Sequence, residues 1–451
     1  MRYFFAVLCL AATPLLAQDT RTVTEPVIPP VCTTLSAQMH NISEADEQKL
    51  DTARIQNALD HCGKGQAVAL QSEGANNAFL SGPIQLREGI TLVIRKGVTL
   101  YASRDPKQYE ISPGSCGVVS KQRDGCRPLI SVDHVSGAGI MGEGTIDGRG
   151  GAKLLGQNVT WWDLAEQARQ PGIGGQKVPR ILVANYADNF TLYRITFRNS
   201  PNFHVVYNHG DGFTVWGVRI NTPQRLARNT DGIDPGSGSR NITITHSYIR
   251  TGDDNVAIKG GPGGVTNMSV VHNHFYWGHG MSIGSETNGG VSKIRVTDLS
   301  LDGPDSGIRI KSMGTRGGLV HDIVYDDICI RNSPRPIDLS AAYSANGPVK
   351  GNSPPTFEDI TLRNVRVSGG GKIFFDGYDH DHRVGVRFDN VLLTDAITQK
   401  YTYTVNHADI TLGPGPVNLS IPAGTDSTIT GKPSNGKPES CKDKFAPFPT
   451  E

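Results

Sequence analysis

NFTLYRITF (189–197), GFTVWGVRI (212–220), NITITHSYI (241–249), NMSVVHNHF (267–275), KIRVTDLSL (293–301), DIVYDDICI (322–330) and DITLRNVRV (359–367) are versions of one phrase. Each alternates apolar with polar positions, is rich in β-branched residues and opens on a turn-forming or polar residue, which reads as a short strand entered from a corner. Their first apolar residues are Phe190, Phe213, Ile242, Met268, Ile294, Ile323 and Ile360, at separations of 23, 29, 26, 26, 29 and 37, and Val386 follows 26 later. One such coil cannot bury its apolar face alone, but stacked coils share a continuous core. A propeller blade needs about 40 residues or more, and leucine-rich repeats need helices and many Leu. The expected fold is all-β, a right-handed parallel β-helix of about ten coils. Asn at the corners, as at Asn189 and Asn241, suits this fold because Asn tolerates the left-handed region, so these sequons read as corners rather than glycan sites.

Working outward, residues 18–40 are Pro/Thr-rich and extended, and Glu44 to Cys62 is helical, with Ile55, Ala58, Leu59 and Cys62 on one face. That helix is expected to cap the first coil, which would otherwise expose its core layer. Two insertions break the rhythm, at 106–130 and at 151–178, where Trp161 and Trp162 fit a helix packed on the solenoid better than a sugar-stacking pair. Beyond Ser420 the chain is rich in Pro, Gly and Lys and reads as a loosely structured tail over 420–451. The opening MRYFFAVLCLAATPLLA (1–17), one basic residue and then an apolar run, reads as a secretory signal, which makes 18–451 a single secreted, extracellular domain. Losing it removes Arg2, and 43 basic groups then face 43 acidic ones. That balance argues against a nucleic-acid or membrane partner.

Cys9 lies in the leader, and the other six Cys suit an exported, disulfide-bonded protein. Cys116 and Cys126 bracket a polar loop and are expected to pair. A Cys32–Cys62 bond would pin the N-terminal segment to the first helix. Cys329, within a strand-like run, reads as a buried free thiol, and Cys441 as a residue that ties down the tail if it bonds at all. No spacing resembles a metal-binding Cys pair.

The chemistry concentrates in NTDGIDPGSGSRNITITHSYIRTGDDNVAIK (229–259), followed by GHGMSIGSE (278–286) and RIKS (309–312). Asp231 to Asp253 is 22 residues, Asp254 to His279 is 25 and His279 to Arg309 is 30, each close to one coil. These residues therefore share one face of four successive coils. Asp beside Gly is ordinary turn chemistry, but clustered Asp cannot all ionise freely, so at least one holds its proton. A protonated and an ionised carboxyl in one cleft are what glycosidic cleavage needs, as acid for the leaving oxygen and base for water. Clustered carboxylates also suit calcium. His279, Arg309 and Lys311 oppose a metal and suit a carboxylate-bearing substrate instead.

The four motifs NTD (229–231), GDD (252–254), GHG (278–280) and RIK (309–311) occur in the order found in polygalacturonases of glycoside hydrolase family 28, which the chain resembles. FLSGP (79–83), KGVTL (96–100), GTIDG (144–148) and SPNFHVV (200–206) extend the resemblance to bacterial endopolygalacturonases over roughly 22–412. The resemblance implies that Asp253 is the general acid and that Asp231 and Asp254 hold and deprotonate water, with inversion. It implies that His279 hydrogen-bonds within the carboxylate cluster and helps keep Asp253 protonated, that Arg309, Lys311 and Tyr343 bind the galacturonate carboxylate, and that no metal or cofactor takes part. The implied partner is pectin or polygalacturonate, and a monomer is expected. An exo-acting enzyme would have nearly the same site. A rhamnogalacturonan hydrolase fits the cationic pair less well, a lyase would need calcium ligands, and a non-catalytic binding β-helix would have no need of the Asp–His set. Asp234 reads as a turn or supporting residue, and His204, His272 and His274 as strand or corner residues. Glu286 reads equally as a rim or a structural residue.

Overall fold

The computed structural model describes residues 18–343, 349–394, 400–437 and 439–450. The expected leader lies outside the described residues. The coils up to Arg250 carry short strands on three walls, for example Phe190–Tyr193, Thr196–Arg198 and Val205–Asn208. From Val265 on, one long strand such as Val265–Phe275 runs through two of the walls; the strands pair in parallel with their counterparts one coil on. The repeat alignment is the sheet register itself. Phe190 faces Phe213, and Ile242, Met268, Ile294, Ile323, Ile360 and Val386 follow in one column. A second column runs Ile146, Phe197, Ile220, Ile249, Phe275, Leu301, and a third Leu182, Val205, Ile233, Val256, Met281, Ile308. Alternate side chains point inward along each strand, so the three walls close on one buried core. The ladder continues past the recurring phrase at both ends, from Val31–Ser36 to Thr425–Thr430. Asn189, Asn241 and Asn267 stand at equivalent corners with φ of 50°, 55° and 57°.

The capping helix α1 is shorter than the periodicity suggests. It spans Thr52–His61, preceded by a separate 3-10 turn at Glu44–Asp46. The Asp51 carboxylate accepts from the Leu80 backbone N–H and from Arg54, which ties the helix start to the first coil. Ile55, Ala58 and Leu59 are buried on the first coil, and the Cys32–Cys62 bond fastens the helix there. In the second insertion Thr160 caps helix α2 (Trp161–Gln167), Trp161 is buried edge-on against Tyr109, and Trp162 donates to the Ser200 carbonyl. Cys116 and Cys126 are bonded, beside an antiparallel pairing of Val118–Ser120 with Gly175–Lys177.

Two expectations at the C-terminus need correction. Cys329 is no free thiol, because it is bonded to Cys441 across 112 residues. Nor is 420–451 loose throughout. Thr425–Thr430 adds a parallel strand to Tyr401–Leu412, and residues 439–448 lie strapped along several coils. Lys444 reaches both Asp298 (2.6 Å) and Asp327 (2.7 Å), and Tyr276 donates to the Ala446 carbonyl. These partners are tens to hundreds of residues away in sequence, which is why tail composition alone misleads. Among the described residues no helix is long and apolar enough to cross a membrane.

Candidate active site

The sheet register brings the sequence candidates together. Ile233 pairs with Val256, Val256 with Met281, and Met281 with Ile308. Counting back two residues aligns Asp231, Asp254 and His279 at the mouth of the third wall, with Asp253 beside them. Arg309 and Lys311 alternate with inward Ile308 and Ile310 and therefore face out of the core on the next coil. Asp253, His279 and Tyr343 line a cavity of about 700 Å³. Asp231 and Asp254 sit beneath, with side chains 4% and 1% exposed.

The motif glycines are steric requirements. A Cβ at Gly252 would lie 1.9 Å from the Ala227 carbonyl oxygen. Gly278 has φ +119°, and a Cβ there would approach the Asp253 carbonyl to 2.7 Å. Turns this close let the His279 N–H donate to that same carbonyl at 2.9 Å. Asn255, fully buried, staples the two turns: its amide donates to the Trp277 carbonyl (3.0 Å) and its Oδ1 accepts from the Gly280 N–H (3.0 Å).

Electrostatics divides the carboxylates. Burial pushes Asp231 up to about 7, against the opposing Lys259 ammonium at 3.1 Å and with help from the charges of Asp253 and Asp254. Its Oδ1 is buried with no hydrogen-bond partner among the described residues. Asp234, also buried, is raised as well, although Lys259 lies 3.7 Å away. Asp254 is buried too, but Lys311 (2.7 Å) and Arg309 (3.3 Å) outweigh that and hold it ionised, and the Ser282 hydroxyl donates to it at 2.7 Å. Burial likewise opposes ionisation of Asp253, but its hydrogen bond and attraction to His279 prevail and hold it below the ordinary carboxylate range. His279 therefore carries the proton, rather than keeping it on Asp253 as the resemblance implied. His279 lies 3.1 Å from Asp253 and 3.4 Å from Asp305, and these partners overcome burial to raise it to about 10. The cluster thus holds one proton on Asp231 and another on the His279–Asp253 pair.

All seven sequence candidates meet here. Arg309 and Lys311 are nearly buried and directed at Asp254, and the Tyr343 ring lies 5.2 Å from the Arg309 guanidinium and 5.4 Å from the Lys311 ammonium. Ligand atoms of Asp253, Asp254 and His279 lie within 4.8 Å of one another, as a metal would need. Lys311, Arg309 and the imidazolium already occupy those carboxylates and repel a further cation.

Sequence reading missed Lys259, Asp305 and Asn255, and it set His204 aside as a strand or corner residue. His204 is fully buried, and burial lowers it to about 4, so it is neutral. One ring nitrogen contacts the Asp231 carbonyl (2.9 Å) and the other the Thr222 hydroxyl (2.8 Å), which holds the Asp231 backbone in place. The signal was the intervals, since His204 and Lys259 each stand about one coil from Asp231.

The C-terminal strap ends against this site. The Arg250 guanidinium lies 4.5 Å from the Trp277 ring centre and 3.9 Å from that of Phe448. Trp277 immediately precedes Gly278 and donates to the Thr222 carbonyl at 3.0 Å. Closing a loop of 112 residues, the Cys329–Cys441 bond contributes up to about 4–5 kcal/mol in the chain-entropy account. Cys441→Ser should therefore lower Tm by several degrees and kcat several-fold, read by calorimetry and initial rates. An unchanged kcat would show that the strap does not steady the Trp277 turn.

Residues 62–411 match the profile of the family described as Glycosyl hydrolases family 28. An endo-polygalacturonase of Pectobacterium carotovorum subsp. carotovorum is 44% identical over 384 residues, covering 85% of this chain and 91% of that protein. A polygalacturonase of Ralstonia solanacearum is 38% identical, covering 99% of this chain and 98% of its own. The solved polygalacturonase of Erwinia carotovora ssp. carotovora superposes with a TM-score of 0.78 at 41% identity, covering 87% of this chain and 99% of that one. Stacked parallel coils, an Asp–Asp–His column at their mouth and a family match over most of the chain agree: this protein belongs to glycosyl hydrolases family 28.

Proposed function

We propose that the protein is an exported endopolygalacturonase that hydrolyses internal α-1,4-galacturonosidic bonds with inversion. The observation that carries this is geometric: Asp253, 3.1 Å from His279, faces the cavity beside a column in which Asp254 is held by Lys311 (2.7 Å) and Arg309 (3.3 Å) and Asp231 lies one coil away. The relatives named endo-polygalacturonase span nearly their full length in the alignment and supply the substrate class and the endo mode. Three disulfides suit an oxidising compartment and hence export.

In this mechanism Asp253, at the cavity surface, gives a proton to the glycosidic oxygen as the bond to the anomeric carbon breaks. The His279 imidazolium supplies that proton through the 3.1 Å contact. Water attacks the opposite face of the anomeric carbon. Asp254, kept ionised by Lys311 and Arg309, takes its proton, while protonated Asp231 holds the water, a division familiar from carboxyl pairs that share one proton. Lys311 has further N–H donors beyond the one on Asp254, and with Arg309 and Tyr343 it receives the sugar carboxylate.

The test is product analysis on de-esterified polygalacturonate. A steep viscosity fall with few new reducing ends and no unsaturated sugar is the expected result. Monomer or dimer accumulating from the start would mean exo action. Unsaturated ends would mean elimination and would remove the roles given to the three Asp.

A further inference from the structure

A second cavity, about 560 Å³, lies beside the catalytic one, and Asn229 lines both. Its cations are Arg123, from the Cys116–Cys126 loop, Lys177, from the short strand Gly175–Lys177, and Arg180. Their situation differs from that of every cation in the catalytic column. Lys259, Arg309 and Lys311 are each matched by an Asp. Arg123, Lys177 and Arg180 have no carboxylate within ion-pair distance among the described residues. Arg180 instead makes a neutral contact of 3.3 Å to the Asn202 side-chain oxygen.

The cavity also lies in line with the reaction. Arg180 stands just before Leu182, which pairs with Val205, which pairs with Ile233 beside Asp231. Two coils separate them, about 10 Å along the axis at a strand spacing near 4.8 Å. Between them the Phe203 ring has the Arg180 guanidinium 4.9 Å from its centre and the Lys259 ammonium at 5.0 Å, and it lines the cleft on both sides. A groove that carries these cations together with polar amides at Gln176, Asn202 and Asn229 suits an acidic sugar, its hydroxyls on the amides and its carboxylate on the cations.

We propose that Arg123, Lys177 and Arg180 form a distal subsite for the free carboxylate of a galacturonate unit lying toward the N-terminal end of the groove, and that this subsite selects de-esterified stretches of the polymer. The proposal rests on the polygalacturonase reading above and adds the source of selectivity. A methyl ester abolishes the charge, so an esterified unit there would forfeit the charge-assisted hydrogen bonds to the cations.

The experiment compares the full-length wild type with Arg180→Gln/Lys177→Gln and with Arg180→Lys, on oligogalacturonides of graded length and on pectins of graded methyl esterification. The double variant should raise KM about tenfold on chains long enough to reach the cavity and much less on the shortest substrate cleaved. It should also flatten the dependence of KM on esterification, and Arg180→Lys should restore most of both. Equal KM increases on short and long oligomers would mean general electrostatic attraction and would overturn the subsite. Unchanged KM, in variants whose Tm matches the wild type, would overturn it too. A wild type that releases no reducing ends from polygalacturonate would instead sink the polygalacturonase reading, and the subsite with it.

Discussion

Asp253→Asn should reduce the release of reducing ends from polygalacturonate by about three orders of magnitude, within the range that general acid catalysis contributes. Asn keeps the size and shape of the side chain but carries no transferable acidic proton. The fold should persist, because Asp253 stands at the mouth of the cavity and contributes nothing to the apolar columns. Substrate binding should persist as well, since Arg309, Lys311 and Tyr343 are untouched. A second signature separates this from mere damage. His279 is held at about 10 chiefly by its partners Asp253 and Asp305 working against burial. Removing the Asp253 charge should bring the imidazole back toward its ordinary range, visible by NMR titration. A variant with wild-type turnover would end the acid assignment. One that neither binds nor shifts His279 would mean that the site had collapsed.

Asp231→Asn should abolish most activity and yet stabilise the protein increasingly as pH rises. The folded-state value of Asp231 is about 7 against 3.8 for the ordinary group, so between those values the native state binds more protons than the unfolded chain. Stability from this group therefore falls as pH rises through that window and levels off above it. An amide does not titrate and escapes the loss. The Tm difference between variant and wild type should be small below pH 3.8, grow through the window and hold above 7, with a gain on the order of 1 kcal/mol or more. Lys259 keeps Asp234 as a neighbour, so the substitution does not strand it. A pH-independent difference in Tm would show that Asp231 titrates normally, and its place as the proton-holding member of the pair would fall.

Both results turn on a division of labour that only burial and neighbours create. Asp231 and Asp254 are the same residue type, one coil apart on one column. Lys311 and Arg309 reach Asp254, and Lys259 faces Asp231 alongside Asp234, so the two carboxyls separate. Nothing in NTD or GDD distinguishes them.

From sequence alone, the coil alignment was readable to the residue: the first apolar positions from Phe190 to Val386 are the hydrogen-bonded column. Period-2 alternation sets which side chains face inward, and a one-residue slip would expose the whole apolar face. That same register brings the Asp, His and Arg motifs to one face, so the composition of the site follows from intervals in the chain. Tertiary structure decided what intervals do not encode. It bonded Cys329 to Cys441, laid the tail across distant coils, and placed Lys259, Asp305 and His204 around the carboxylates. The reason is physical. Register depends on the local alternation of apolar and polar residues, which every coil carries in its own sequence. Proton affinity and tail docking depend on desolvation and charge at contacts between segments far apart in the chain, and these arise only once the coils are stacked.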